Sequence, residues 1–296
     1  MKLFSILTLA FILAGCSSGS DSTAANPNTT TPTAALTLQC DLTASYTPVN
    51  SPLTSSAAST SAATVIAVHG KNGAPTRSHM LSLAADLNAQ GYDVTMPYMP
   101  WSDLVWDGTL CDGISYINSL IAAEKAIGNS VILLGHSLAG PIVLSYSALT
   151  NTTQPDALLV LAPGHFIHHS INLAGLHASS IQLAKSMVAA GTGDNMATFQ
   201  TSNGGVLIDI STTANIYLSF HDTEQFPDIK DSIPLVSIPA LWLAGLSDPL
   251  TASAKTLGII AAIPANSLYT YKEIAGDHFT LVDNVAAELE PWFQGL

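Results

Sequence analysis

Val131-Ile132-Leu133-Leu134-Gly135-His136-Ser137-Leu138-Ala139-Gly140 is the stretch that decides the fold. An apolar run ends in a glycine, a serine stands two residues on, and small residues lead into a helix-compatible segment, Pro141 to Leu149. Strand, strained turn and helix in this order form a nucleophile elbow, which lifts a serine to the end of a sheet. Side chains two positions to either side of the serine crowd such a turn, and Gly135 and Ala139 fill those positions, with Gly140 next. The pattern asks for glycine where Ala139 stands, a departure of one methyl group. Ser137 then opens a helix, where free backbone N–H groups and the helix dipole favour negative charge.

Outward from the elbow, strands and helices alternate. Ala63 to Val68 reads as a fully buried parallel strand ending in His69-Gly70. The loop Lys71 to Pro75 leads to a helix from Ser78 to Gln90, stopped by Gly91. A second strand covers Tyr92 to Met96, an aromatic turn runs from Pro97 to Trp101, and Asp112 caps a helix reaching Ile127. The elbow strand follows, then a strand from Ala157 to Leu161. The pattern predicts an α/β fold with a doubly wound, mostly parallel sheet. Ligands in such sheets bind at the carboxyl ends of the strands, where His69, Ser137 and His165 fall.

After Gly164 the alternation stops. Residues 165–236 hold a helical stretch, Leu173 to Ala190, a Gly-rich break, and a patch with Phe220 and Phe226. An insertion at the active-site end of a sheet reads as a cap that shapes the substrate pocket. The pattern resumes with a strand from Ile238 to Gly245, a helix from Ala252 to Ala262, a strand from Ser267 to Tyr271 and a closing helix from Leu281 to Phe293.

A serine hydroxyl needs a base within hydrogen-bond reach, and the base needs a carboxylate to fix its tautomer. Ser137 is followed by Asp248 in Gly245-Leu246-Ser247-Asp248-Pro249 and by His278 in Gly276-Asp277-His278-Phe279, each on a loop that ends a strand. With His69-Gly70, these motifs resemble the α/β-hydrolase fold family from about residue 60 to the C-terminus. The resemblance implies that Ser137 is the nucleophile, Asp248 the triad acid and His278 the general base. It also assigns the oxyanion hole to the backbone N–H groups of Lys71 and Leu138, with His69 and Gly70 supporting that loop. A serine nucleophile favours acyl transfer to water, so a carboxylic-ester hydrolase working through an acyl-enzyme is implied. No cofactor and no metal are implied. The same fold also carries thioesterases, peptidases, lyases and transacylases, and a non-catalytic surface lipoprotein is the further alternative.

Other polar residues compete for these roles. Asp277 adjoins His278 but projects elsewhere from a tight loop, and Asp156 lies at the wrong end of its strand. His136 reads as structural or pocket-lining. His165-Phe166-Ile167-His168-His169 has no carboxylate at a recognised zinc spacing, so pocket or cap contacts are the expectation there. The Lys71 side chain is expected in solvent. The cap and the aromatic residues between Tyr98 and Trp106 suggest an apolar pocket for the acyl part of a small-molecule ester.

Composition and the first residues bound the setting. Apolar residues make up 48% and charged residues only 10%, enough for one large domain with a real core. A net charge of −13 argues against nucleic acid as a partner. Met1-Lys2 precedes an apolar run from Leu3 to Ala14, too short to span a bilayer, and Leu13-Ala14-Gly15-Cys16 resembles a bacterial lipobox. That resemblance implies a lipoprotein signal peptide over residues 1–15, lipidation of Cys16, and a place in the cell envelope, on the outer membrane. Residues 16–35 form a Ser-, Thr-, Asn- and Pro-rich tether without the apolar side chains to fold; the hydrolase-like domain occupies 36–296. Cys40 and Cys111 remain, and in an exported chain an even pair suggests a disulfide, two buried free thiols being the alternative.

Overall fold

The computed structural model describes residues 38–43, 46–58, 61 and 63–296. The expected signal peptide at 1–15 and the expected tether at 16–35, with Cys16, lie outside the described residues.

In chain order the elements are β1 (Leu53–Ser55), β2 (Thr64–Val68), α1 (Ser78–Ala89), β3 (Asp93–Met96), α2 (Leu110–Ala126), β4 (Val131–His136), α3 (Ala139–Ala148) and β5 (Ala157–Leu161). Then come α4 (Ile171–Ala189), β6 (Met196–Asn203), β7 (Val206–Thr213), α5 (Ala214–His221), α6 (Ile229–Ser232), β8 (Ala240–Gly245), α7 (Pro249–Thr256), β9 (Tyr269–Ile274) and α8 (Val285–Phe293). Seven strands form one sheet in the order β1-β3-β2-β4-β5-β8-β9. All neighbours are parallel except β1, which runs antiparallel to β3 and gives the sheet an edge the sequence did not announce.

The central strands are apolar at every position because helices cover both faces. Successive residues of β4 divide between the two cores: Ile132 and Leu134 face one, Val131 and Leu133 the other. The parallel strands β2, β4, β5, β8 and β9 end on one side of the sheet, which places the residues just beyond them together.

Local sequence sets the helix limits. The start of α2 differs from the expectation of a cap at Asp112. Thr109 is the N-cap, and Asp112, at the third helical position, returns a bond to the Thr109 backbone N–H. That reciprocal capping box outcompetes a single cap by satisfying two free donors. Cys111 in this first turn is bonded to Cys40, with Cα atoms 5.1 Å apart. Closing a loop of 71 residues contributes about 4 kcal/mol by chain entropy.

Between β5 and β8 the structure replaces the expected Gly-rich break with a hairpin. β6 and β7 pair antiparallel through Asn203↔Val206. Gly204 and Gly205 take φ of +58° and +82°, the two left-handed positions that a tight hairpin turn requires. Tyr217 of α5 stacks on Phe199 of β6 at 4.6 Å, and Phe220 meets Trp101 and Trp106 edge-on. Thr212 also donates its hydroxyl to the Trp106 carbonyl. The insertion is therefore seated on the aromatic turn of the main domain.

Candidate active site

Ser137 follows β4 with φ of +58°, a conformation costly for any residue with a Cβ. Backbone bonds hold it there: its N–H donates to the Leu161 carbonyl, and its own carbonyl accepts from the N–H groups of Gly140 and Gly164. A Cβ at Gly135 would lie 2.5 Å from the Ala139 carbonyl oxygen, and one at Gly140 would lie 2.6 Å from Pro163 Cβ. Those two glycines meet the turn's steric demand, and Ala139 is accommodated fully buried in the core.

Two further loops converge on Ser137. His278 Nε2 lies 2.9 Å from Ser137 Oγ, and His278 Nδ1 lies 2.8 Å from Asp248 Oδ2. Asp248 is the N-cap of α7, and its Oδ1 accepts from the Leu250 N–H at 2.8 Å. Both carboxylate oxygens are thereby fixed, one by the helix end and one by the imidazole. Asp277 points away: its Oδ1 accepts from the N–H groups of Phe279 and Thr280. Those bonds hold its carboxyl below the usual range and brace the turn that presents His278.

His136 packs against His278. Its Nε2 lies 2.8 Å from the His278 carbonyl, so that nitrogen carries the proton and donates. Burial pushes the imidazole down to about 3, which keeps it neutral. This contact was not legible in the sequence, since it joins residues 142 apart.

The loop after β2 approaches the elbow closely. A Cβ at Gly70 would lie 2.6 Å from Ser137 Cβ, so only glycine fits there. His69 sits behind it, fully buried, with Nδ1 2.9 Å from the Gly70 carbonyl and Nε2 2.9 Å from Ser102 Oγ. The carbonyl requires the proton on Nδ1, so the Ser102 hydroxyl donates to Nε2. Burial holds His69 at about 4. Lys71 and Leu138 both line the cavity into which Ser137 opens, and their backbone N–H groups have no hydrogen-bond partner among the described residues. Leu138 is also the N-cap of α3, at the positive end of its dipole.

That cavity has a volume of about 820 Å³. Its apolar wall comes from Leu138, Phe166, Leu173, Leu176 and Leu250, contributed by the elbow, the insertion and α7. Two expectations fail here. The aromatic turn does not line the cavity: Trp101 and Trp106 are buried behind the His69 loop, donating their indole N–H groups to the His69 carbonyl and to Asn72 Oδ1. The indole bodies bury apolar area while their N–H groups brace the loop. Nor is the Lys71 side chain free in solvent; it is half-buried, and its Nζ donates to Thr201 Oγ1 and to the Ser202 carbonyl of β6. The hairpin that captures it was missed in the sequence, although Asn203-Gly204-Gly205 between two β-prone runs was its signal.

The histidine run after β5 disperses. His165 Nε2 meets the Phe220 carbonyl, His168 Nε2 the Phe226 carbonyl and His169 Nε2 Asp228 Oδ1. Asp156, as expected, lies at the opposite end of the sheet, where it accepts from Lys125 and the Val131 N–H.

No family model matches the chain, and no curated protein matches its sequence. Solved structures do. A monoacylglycerol lipase from Paleococcus ferrophilus aligns with a TM-score of 0.59 at 16% identity, covering 83% of this chain and 99% of its own. The alpha/beta hydrolase GrgF from Penicillium sp. sh18 aligns at 0.62 and 13% identity, covering 82% and 91%. Est1E from Butyrivibrio proteoclasticus aligns at 0.52 and 16% identity, covering 80% and 89%. The likeness is one of architecture: the chain has the α/β-hydrolase fold.

Proposed function

We propose that this chain of α/β-hydrolase fold is a serine hydrolase that cleaves carboxylic esters through an acyl-enzyme. The observation that carries this reading is the relay from Asp248 Oδ2 to His278 Nδ1 at 2.8 Å and from His278 Nε2 to Ser137 Oγ at 2.9 Å. Neighbours of the same fold include a monoacylglycerol lipase and an esterase domain, which agrees with the reading.

In the proposed reaction His278 Nε2 takes the Ser137 proton as Oγ attacks the ester carbonyl. Asp248 holds the imidazole in the tautomer that leaves Nε2 free to accept and then steadies the imidazolium. The developing oxyanion receives the N–H groups of Lys71 and Leu138; loss of one such donor lowers the rate by about 100- to 1,000-fold. His278 returns the proton to the leaving alcohol as the C–O bond breaks. Water, deprotonated by the same nitrogen, then releases the acid and restores Ser137. The apolar side of the cavity suits the acyl part of the ester.

The test is steady-state hydrolysis of 4-nitrophenyl esters of graded chain length. Turnover by the wild type and its loss in Ser137→Ala are expected; equal turnover by both would exclude the reading. Amide substrates run alongside separate an esterase from a peptidase.

The envelope location is part of the proposal and rests on Leu13-Ala14-Gly15-Cys16. One buried acyl chain binds only reversibly, so stable anchoring needs more than one chain on Cys16. Metabolic labelling with an alkyne fatty acid should mark the wild type and not Cys16→Ala; no labelling of the wild type would refute it.

A further inference from the structure

The Ser137 cavity has a cationic side chain in its wall whose partners are all neutral. Lys71 Nζ donates to Thr201 Oγ1 at 3.3 Å and to the Ser202 carbonyl at 3.2 Å. An ammonium has three donors, so one is left over. Among the described residues, Arg77, Lys125, Lys185, Lys255 and Lys272 each pair with a carboxylate, whereas neither Lys71 nor Lys230 does. Asp248 shares the cavity, but His278 and Leu250 occupy its oxygens.

The groups packed around Lys71 add polarity without negative charge. His221 Nε2 lies 2.8 Å from Thr201 Oγ1, and His177 Nε2 accepts from the Ser202 N–H. His165 lines the cavity, with its Nε2 spent on the Phe220 carbonyl and its Nδ1 buried without a partner. Burial and the nearby Lys71 charge hold all three imidazoles below their usual value, so they remain neutral. Burial likewise pushes the Lys71 ammonium down to about 7. The half-buried Lys71 ammonium is partly desolvated and has no counter-ion among the described residues, an arrangement that a bound anion relieves.

We propose that Lys71 Nζ is a substrate-binding group that takes an anionic substituent, a carboxylate or a phosphate, at one lysine side chain's reach from the reacting carbonyl. The proposal rests on the reading of Ser137 as nucleophile and of the Lys71 N–H as an oxyanion donor. One residue would then hold both ends of the substrate: its backbone the carbonyl oxygen, its side chain the anion. The competing role, a latch that only fastens the hairpin to the loop, asks nothing of the substrate.

The experiment compares three 4-nitrophenyl esters of equal acyl length, ending in a methyl ester, a carboxylate or a phosphonate, with the full-length protein. The ratio of kcat/KM for an anionic ester to that for the neutral ester is read, so that any general loss of rate cancels. The wild type should favour at least one anionic ester by about ten-fold or more, the carboxylate and phosphonate arms telling which anion is preferred. Lys71→Met should lose that preference, and Lys71→Arg should keep most of it. A wild-type ratio near one, or a ratio unchanged in Lys71→Met, overturns the proposal. The wild-type ratio decides the matter even where Lys71→Met does not fold. If the neutral ester is turned over in a Ser137-dependent manner while the ratio is one, the subsite fails and the hydrolase reading stands. If no ester is hydrolysed, both fail.

Discussion

His136 donates from Nε2 to the backbone carbonyl of His278 at 2.8 Å, so the residue just before Ser137 holds the main chain of the proposed base. The two rings lie 5.0 Å apart, and His79 of α1 packs on His136 at 5.4 Å. In the proposed mechanism His136 is a positioning residue. His136→Ala should lower kcat by roughly 10- to 100-fold with KM little changed, the scale expected for a small misplacement of a reacting group. His136→Gln, whose amide can donate to the same carbonyl, should recover most of the loss. A variant that melts earlier but keeps kcat would reduce His136 to a packing role.

Asp248 has two separable duties. Its Oδ2 meets His278 and its Oδ1 caps α7. Asp248→Asn keeps an N-cap oxygen but spoils the tautomer, so kcat should fall by about 10⁴-fold with the melting temperature nearly unchanged. Asp248→Ala should lose activity and also about 1 kcal/mol of stability with the cap. Equal melting of the two variants would show that the cap contributes nothing.

The elbow tolerates one exchange and forbids another. Gly135→Ala drives a Cβ to within 2.5 Å of backbone at Ala139 and should abolish folding or activity. Ala139→Gly restores the usual residue at that position, yet it removes a buried methyl group at the first position of α3 and should destabilise by about 0.8 kcal/mol with activity retained. Chemical denaturation of both variants checks the pair; an active, stable Gly135→Ala would contradict the turn geometry.

Buried histidines tie stability to pH. Burial holds His69 and His177 at about 4 and His136 at about 3, against an ordinary 6.5. Below 6.5 the unfolded chain binds protons that the folded chain refuses, so stability rises with pH through this window and falls as pH drops from 6.5 toward 4. Each such group can contribute about 1.4 kcal/mol per pH unit of difference. Scanning calorimetry from pH 7.5 to 5 should show a steadily falling melting temperature; a flat one would mean that these imidazoles are already charged in the fold.

The sheet was legible because its central strands are continuous apolar runs, and runs such as Val131 to Leu134 leave little choice but a strand covered on both faces. Ser137 and Asp248 each stand just after such a run, whereas His278 follows the mixed strand Tyr269–Ile274 and was singled out by its order after them in Gly276-Asp277-His278. What escaped was set by contacts between distant segments. The hairpin of β6 and β7 carries polar residues on much of its length, so its period was masked, and only Gly204-Gly205 marked it. Lys71 looked like an exposed loop cation because Thr201 and Ser202 lie far along the chain. Trp101 and Trp106 looked like pocket wall because nothing local shows that their indoles brace the His69 loop.

The most direct test of the account is covalent labelling with a fluorophosphonate probe, followed by peptide mass spectrometry. The probe reacts only where a serine oxygen is activated beside an oxyanion hole. Modification of Ser137 in the folded wild type, absent in Ser137→Ala and strongly slowed in Asp248→Asn, is the predicted result. An unlabelled folded wild type, or labelling that survives Ser137→Ala, would contradict it.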